Sequence, residues 1–179
     1  MKPTFAGALA LAIATALSAP AVAQNAKEPQ MSSPAYNGPF AAPSPLDLNY
    51  PQFDKIRDSD FAPAFEAGMA QELREIDAIA DNPEKPTFQN TIVAMEKSGQ
   101  LLGRARSVFG NLVGTDKTEA RDKLQTEYAP KFSAHNDAIA LNPKLFARIK
   151  ALYDQRDVLD LDAIDRRLLE KRYEDFVRA

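Results

Sequence analysis

The chain has 179 residues, 22 Lys+Arg against 25 Asp+Glu, one His and no Cys, for a net charge of −3. The absent cysteines exclude a disulfide framework, a thiolate metal site and a cysteine nucleophile, and a single His excludes any two-His zinc motif. A mildly acidic balance without a basic block argues against nucleic acid as a partner.

Met1 and Lys2 give a positive start, and Phe5–Leu17 is a run of 13 residues without a charge. Ala21-Val22-Ala23 places small residues where a signal peptidase reads. The three parts predict a secretory signal peptide over 1–23, cleaved between Ala23 and Gln24. The uncharged run is too short and Ala-rich for a membrane anchor, which takes about 20 apolar residues. The expectation is an exported, periplasmic or secreted protein with no membrane contact after signal removal.

Residues 24–51 contain six prolines: Pro29, Pro34, Pro39, Pro43, Pro45 and Pro51. Proline removes backbone donors and biases the preceding residue to extended backbone, so neither helix nor central strand is expected. Residues 24–45 read as a Pro-rich linker. Leu46, Leu48, Tyr50 and Phe53 then bring apolar groups, predicting extended chain laid against the remaining body, 46–179.

From Asp60 the apolar spacing is three or four, which predicts amphipathic helices throughout. Phe61, Phe65, Met69, Leu73, Ile76 and Ala80 make the first stripe. Asp60 is its expected cap, and Asn82-Pro83 stops it. Thr87 is the expected cap of a second helix, with Phe88, Ile92, Met95, Leu102, Phe109 and Leu112 on one face. Gly99, Gly103 and Gly110 weaken that helix and predict a bend or a close helix contact. Asp116 and Glu119 have capping-box spacing ahead of Leu124, Tyr128, Phe132, His135 and Ile139. Pro130 lies inside this third stripe and predicts a kink. Asn142-Pro143 is a strong start signal for a fourth helix. Asp160 is the expected opening of a fifth, with Ile164, Leu168, Tyr173, Phe176 and Val177. No strand-period alternation appears, so the fold class is all-α, an antiparallel bundle of about five helices.

His135, between Phe132 and Ile139, reads as a packed histidine. Asp154, Asp157, Asp160, Asp162 and Asp165 suggest a calcium loop, but counting from Asp160 puts Asp165 where the motif needs Gly and Lys171 where it needs Glu. Capping and solvated faces account for these carboxylates. Arg166, Arg167, Lys171 and Arg172 alternate with Glu170 and Glu174, which is a solvated helix face. No catalytic, cofactor-binding or metal-binding residue is assigned. Tyr173, Phe176 and Val177 are expected to need a covering surface beyond the last helix.

Three runs carry a family resemblance: FDKIRDSDFAPAFEAGMAQELREIDAIADNPEKPTFQNTIVAMEKSGQLL (53–102), YAPKFSAHNDAIALNPKLFARIKALYDQRD (128–157) and RRLLEKRYEDFVRA (166–179). They resemble the N-terminal part of the thimet oligopeptidase family of zinc metallopeptidases, nearest its bacterial peptidyl-dipeptidase branch. The resemblance spans roughly residues 44–179. It implies the N-terminal lobe of a larger, two-lobed helical enzyme with a substrate channel between the lobes. In that family a H-E-x-x-H zinc site lies far toward the C-terminus, and dipeptides are removed from the C-termini of oligopeptides. No residue here matches the zinc or substrate-orienting positions, so zinc is implied for the full-length enzyme and none for this chain. Two readings follow: a truncated peptidase that helps wall the channel, or a free-standing, non-catalytic periplasmic module that binds peptides.

Overall fold

A computed structural model describes residues 36–179. The expected leader, 1–23, and residues 24–35 of the expected linker lie outside the described residues. Five long helices follow one another: α1 (Phe61–Ala80), then, after a shorter piece, α3 (Gln100–Thr115), α4 (Glu119–Ala140), α5 (Pro143–Tyr153) and α6 (Ala163–Arg178). The shorter piece is a π-helical turn (Phe88–Val93) that runs into α2 (Ala94–Lys97). No strand forms among the described residues, so the all-α expectation holds.

The second predicted helix is in fact two. Gly99 has φ +67°, a left-handed conformation that ends α2 and restarts the chain as α3. A Cβ there would also meet the carboxylate end of Glu72, which would have to shift aside. The split sends the two halves of one apolar stripe to different cores. Phe88 and Ile92 join Ile76, Ile79, Leu145, Ile149, Leu152 and Leu169. Leu102 and Phe109 join Phe61, Phe65, Met69 and Tyr128. Helix α1 supplies both, with its first half in one core and its last turns in the other.

Caps differ from expectation at three helix starts. The Asp60 carboxylate turns back to accept from the Arg57 N–H at 2.8 Å instead of capping α1. Helix α4 is capped by Thr118, whose Oγ1 accepts from the Arg121 N–H at 3.3 Å, while Asp116 closes α3. Helix α6 is capped by Asp162, not Asp160; Oδ1 accepts from the Ile164 and Asp165 N–H groups at 2.9 and 2.8 Å. In each case several neighbouring residues can cap, and packing of the following helix selects among them. Thr87 and Asn142 cap as expected. Helix α4 continues unbroken through Pro130, with Tyr128 and Phe132 packed on either side of it.

Residues 36–60 form a strap of short 3-10 turns at Asp47–Asn49, Phe53–Lys55 and Asp58–Asp60. Its anchors are Phe40, which is buried and stacked on Phe61 at 5.4 Å, and the partly buried Tyr36, Phe53 and Ile56. Leu46, Leu48 and Tyr50, expected to lie on the body, are exposed instead. Leu48 and Asn49 both have positive φ, which turns the strap outward at the point where those apolar side chains sit. Asn accepts that conformation readily and Leu does not.

Gly68 marks the crossing of α1 over α3. A Cβ there would come within 2.9 Å of Leu102 Cα, Cβ and N. Alanine ordinarily gains up to about 1 kcal/mol over glycine in a helix. At this position backbone must move instead, and Gly68→Ala is expected to be destabilising by about 1–2 kcal/mol net. A denaturant midpoint equal to or above wild type would show that the two helices are free to separate.

Candidate functional site

The residues that chemistry would use are held by α1 and α4. His135 sits on α4 facing α1, buried, with Nε2 at 2.9 Å from Glu72 Oε2. Its Nδ1 is also buried and has no partner among the described residues. Glu75, one turn further along α1, accepts from the Gly99 N–H at 2.8 Å. These contacts tie α1, α4 and the α2–α3 break together, and among the described residues no hydroxyl or thiol nucleophile is placed on the imidazole. The packed reading of His135 therefore describes where it lies. The residues do not fit a zinc centre: among the described residues no three His, Cys, Asp or Glu side chains converge, and the one imidazole already holds Glu72.

Beside this pair, Lys131 Nζ donates to Glu66 Oε1 at 2.8 Å and Tyr128 Oη donates to the same oxygen at 3.0 Å. The Lys131 contact holds the Glu66 carboxyl below the usual carboxylate range. The Glu66 contact, with help from Glu127, holds the Lys131 ammonium above the usual lysine range. Burial, followed by Glu66, raises the Tyr128 phenol. A lowered carboxyl stabilises the fold above its unfolded value, and that contribution disappears as pH falls through the folded value. For Lys131 the contribution is present below its unfolded value and disappears as pH rises through the folded one. Glu66→Gln is thus expected to flatten the acid side of a melting-temperature profile and to lower the melting temperature near neutrality. The effect should be small because Glu66 is half-exposed. An acid limb unchanged by the substitution would show that the cluster does not couple α1 to α4.

The acidic run does not converge. Asp162 caps α6, Asp154 pairs with Lys150 at 2.6 Å and Asp157 pairs with Arg166. The aromatic residues at the end of the chain also depart from expectation. Tyr173 stacks on Tyr153 with ring centres 3.8 Å apart, and Phe146 stacks on Tyr173 and Phe176 at 5.9 and 6.2 Å. Helix α5 thus partly covers Tyr173 and Phe176, which are half-buried, and Val177 is exposed. Ile164, placed on the same stripe, is exposed as well, whereas Leu169 is buried completely.

Two features were not found from the sequence. Arg148 is buried on α5 and donates Nη1 to the carbonyls of Asn82 and Glu84 at 2.8 and 3.0 Å and Nη2 to Asn90 Oδ1 at 2.9 Å. A cavity of about 690 Å3 lies between the strap and the first half of α3, lined by Gly103, Arg104 and Lys55 among others. The signal for Arg148 was a lone cation on the Leu145–Ile149–Leu152 face. The cavity had no signal of its own beyond Gly103 facing a Pro-rich segment.

No family model matches the chain. It is 39% identical over 141 residues to a dipeptidyl carboxypeptidase of Escherichia coli, an alignment that covers 79% of this chain and 21% of that protein. A dipeptidyl carboxypeptidase of Salmonella typhimurium is 37% identical over 141 residues, with the same shares of each chain. The chain thus spans about one fifth of the length of the curated relatives it matches. No helix among the described residues is long and apolar enough to cross a membrane. Over most of its length this chain is homologous to the dipeptidyl carboxypeptidases, and it answers to a minor part of such a protein.

Proposed function

We propose that the chain is the N-terminal portion of an exported zinc metallopeptidase that removes dipeptides from the C-termini of oligopeptides. In this reading residues 1–23 are a cleaved signal, 24–45 a linker, and 46–179 a helical domain that forms part of the substrate-channel wall. The similarity to proteins named dipeptidyl carboxypeptidase supports it most. The charge-free run at Phe5–Leu17, followed by Ala21-Val22-Ala23, supports export. The described residues do not fit a zinc site, so the zinc and the groups that act with it belong to the remainder of such an enzyme. The part played here is architectural: α1, α3 and α4 hold a rigid wall, and the exposed Leu46, Leu48 and Tyr50 are available to meet the remainder.

A second reading, a free-standing exported module that binds peptides without cleaving them, is favoured by the cavity under the strap. Two measurements separate them. The first is the intact mass of the natural gene product in the exported fraction. The second is the release of C-terminal dipeptides from an N-blocked oligopeptide by this chain alone and by that natural product, both supplied with zinc. The expected result is a product several times heavier than 19.7 kDa that cleaves, while the chain alone does not. A natural product no heavier than this chain would overturn the fragment reading, and cleavage by the chain alone would overturn its architectural role.

A further inference from the structure

Asparagine is among the thermolabile residues, and the sequence has one that is followed by glycine, Asn37-Gly38. The pair stands just ahead of Phe40, the buried anchor of the strap. Asn37 is exposed and lies in irregular chain. Among the described residues its carboxamide takes part in no hydrogen bond, and the Gly38 N–H donates to none. A backbone nitrogen beside a free carboxamide is a nucleophile already in place, which is the advantage of an intramolecular reaction. Glycine adds to it, since no Cβ shields that nitrogen. The packing favours glycine here, because a Cβ would push the Tyr36 ring aside.

The other described asparagines lack this combination. Asn82 and Asn142 precede proline, whose nitrogen has no proton. Asn49 is exposed, but the N–H of the next residue, Tyr50, is engaged by the Asp47 carbonyl at 3.0 Å. Asn90, Asn111 and Asn136 lie within helices, whose backbone is held in one hydrogen-bonded geometry. Asn37 also occupies the place where a change in the main chain matters most to the strap. Tyr36 packs on the first core and against Gly38, and Phe40 is buried in the same core. A turn sets the spacing between them, with the Ala41 N–H donating to the Gly38 carbonyl at 3.0 Å. The carbonyls of Phe40 and Ala41 are in turn held by Arg104 of α3, at 3.0 and 3.1 Å.

We propose that Asn37 is a site of spontaneous modification, at which the side-chain amide is lost as ammonia and the resulting isoaspartate loosens the strap from α1. The Gly38 nitrogen gives its proton to base and attacks Asn37 Cγ. The new N–Cγ bond closes a cyclic imide, and the Cγ–Nδ2 bond breaks, with ammonia leaving. Water then opens the imide at one of its two carbonyls. Opening at Cγ restores the original main chain and gives aspartate. Opening at the main-chain carbonyl gives isoaspartate, in which the chain runs through the former side chain and is one carbon longer. That extra carbon falls between Tyr36 and Phe40, so the two anchors cannot both keep their seats. The helices retain their own contacts, since Phe65, Phe109 and Tyr128 pack on one another without the strap.

Ageing the full chain in warm, mildly alkaline buffer tests both steps. Peptide mass mapping reads the change of carboxamide to acid, and labelling by an isoaspartate methyltransferase reads the isomer. Acid is expected to accumulate at position 37 about tenfold or more faster than at Asn49, and faster as hydroxide is raised. Asn37→Gln, which would have to close a larger ring, is expected to lose ammonia about tenfold or more slowly. Loosening is read as chymotrypsin cleavage after Phe40, which reports the population of the opened strap. Cleavage is expected to rise about tenfold in the isoaspartate form, with the melting temperature of the helices unchanged. Asn37→Asp carries the charge without the extra carbon, and is expected to be cleaved as fresh wild type is. Intact Asn37 after ageing, conversion no faster than at Asn49, equal ammonia loss by Asn37→Gln, unchanged cleavage after Phe40 in the isoaspartate form, or cleavage of Asn37→Asp matching that form would each overturn the proposal.

Discussion

Phe65→Ala is expected to destabilise the fold by about 3–5 kcal/mol, the range for removing a large buried aromatic side chain. Phe65 is fully buried, and its ring is a meeting point of three helices. It lies 6.0 Å from Phe61 on α1, 5.3 Å from Phe109 on α3, and 5.0 Å from both Tyr128 and Phe132 on α4. Three of these pairs are edge-on or tilted, arrangements that add to area burial. Neighbouring rings cannot collapse into the space without leaving their own helices, so relaxation should recover little. Urea unfolding of the full chain measures the effect. A loss below about 1 kcal/mol would contradict a close-packed core at this point. Phe65→Leu keeps most of the volume and should lose less than half as much.

Arg148→Met is expected to cost about 2–4 kcal/mol, by a different mechanism. The guanidinium closes three acceptors in the connection between α1 and α2: the Asn82 and Glu84 carbonyls and Asn90 Oδ1. Asn90 is itself the hub of that connection. Its Oδ1 accepts from the Thr87 N–H at 2.8 Å and its Nδ2 donates to the Lys85 carbonyl at 3.0 Å. Methionine fills similar volume but donates nothing, so the acceptors lose their partner while the apolar packing survives. The discriminating readout is local. Hydrogen exchange should accelerate over residues 82–93 before it does in α3 or α4. Uniform acceleration across all helices would mean that Arg148 only contributes bulk to the second core. Lysine at 148 should rescue poorly, since one ammonium cannot reach three acceptors set apart on a fork.

Much of this architecture was legible in the residue order. Helix-period stripes located α1, α4, α5 and α6 because each buries one face against neighbours, and a buried face writes its period into the sequence. Thr87 and Asn142-Pro143 marked their starts because the capping chemistry is local. His135 could be read as packed from its place between Phe132 and Ile139. The resemblance to the peptidyl-dipeptidases agrees with the dipeptidyl carboxypeptidases that comparison of the whole chain finds.

Other features were set by contacts distant in sequence. One apolar stripe from Phe88 to Leu112 serves two cores, and nothing local distinguishes its halves except Gly99. That glycine is called for by its left-handed φ, and the carboxylate end of Glu72 from another helix lies against it. The strap buries Phe40, which lies in the stretch read as linker, and exposes Leu48, which was expected on the body, because the positive φ at Leu48 and Asn49 turns that part away from the helices. Tyr173 and Phe176, which look uncovered in a terminal helix, are partly covered by Phe146 and Tyr153 on α5. The sequence by itself determined the helical class, most helix positions and the absence of a two-His metal motif, since these depend on composition and short-range periodicity. Only the tertiary structure decided where the helices break, which apolar residues are covered, and that Lys55 and Arg104 share one cavity, since each of these depends on groups brought together from separate parts of the chain.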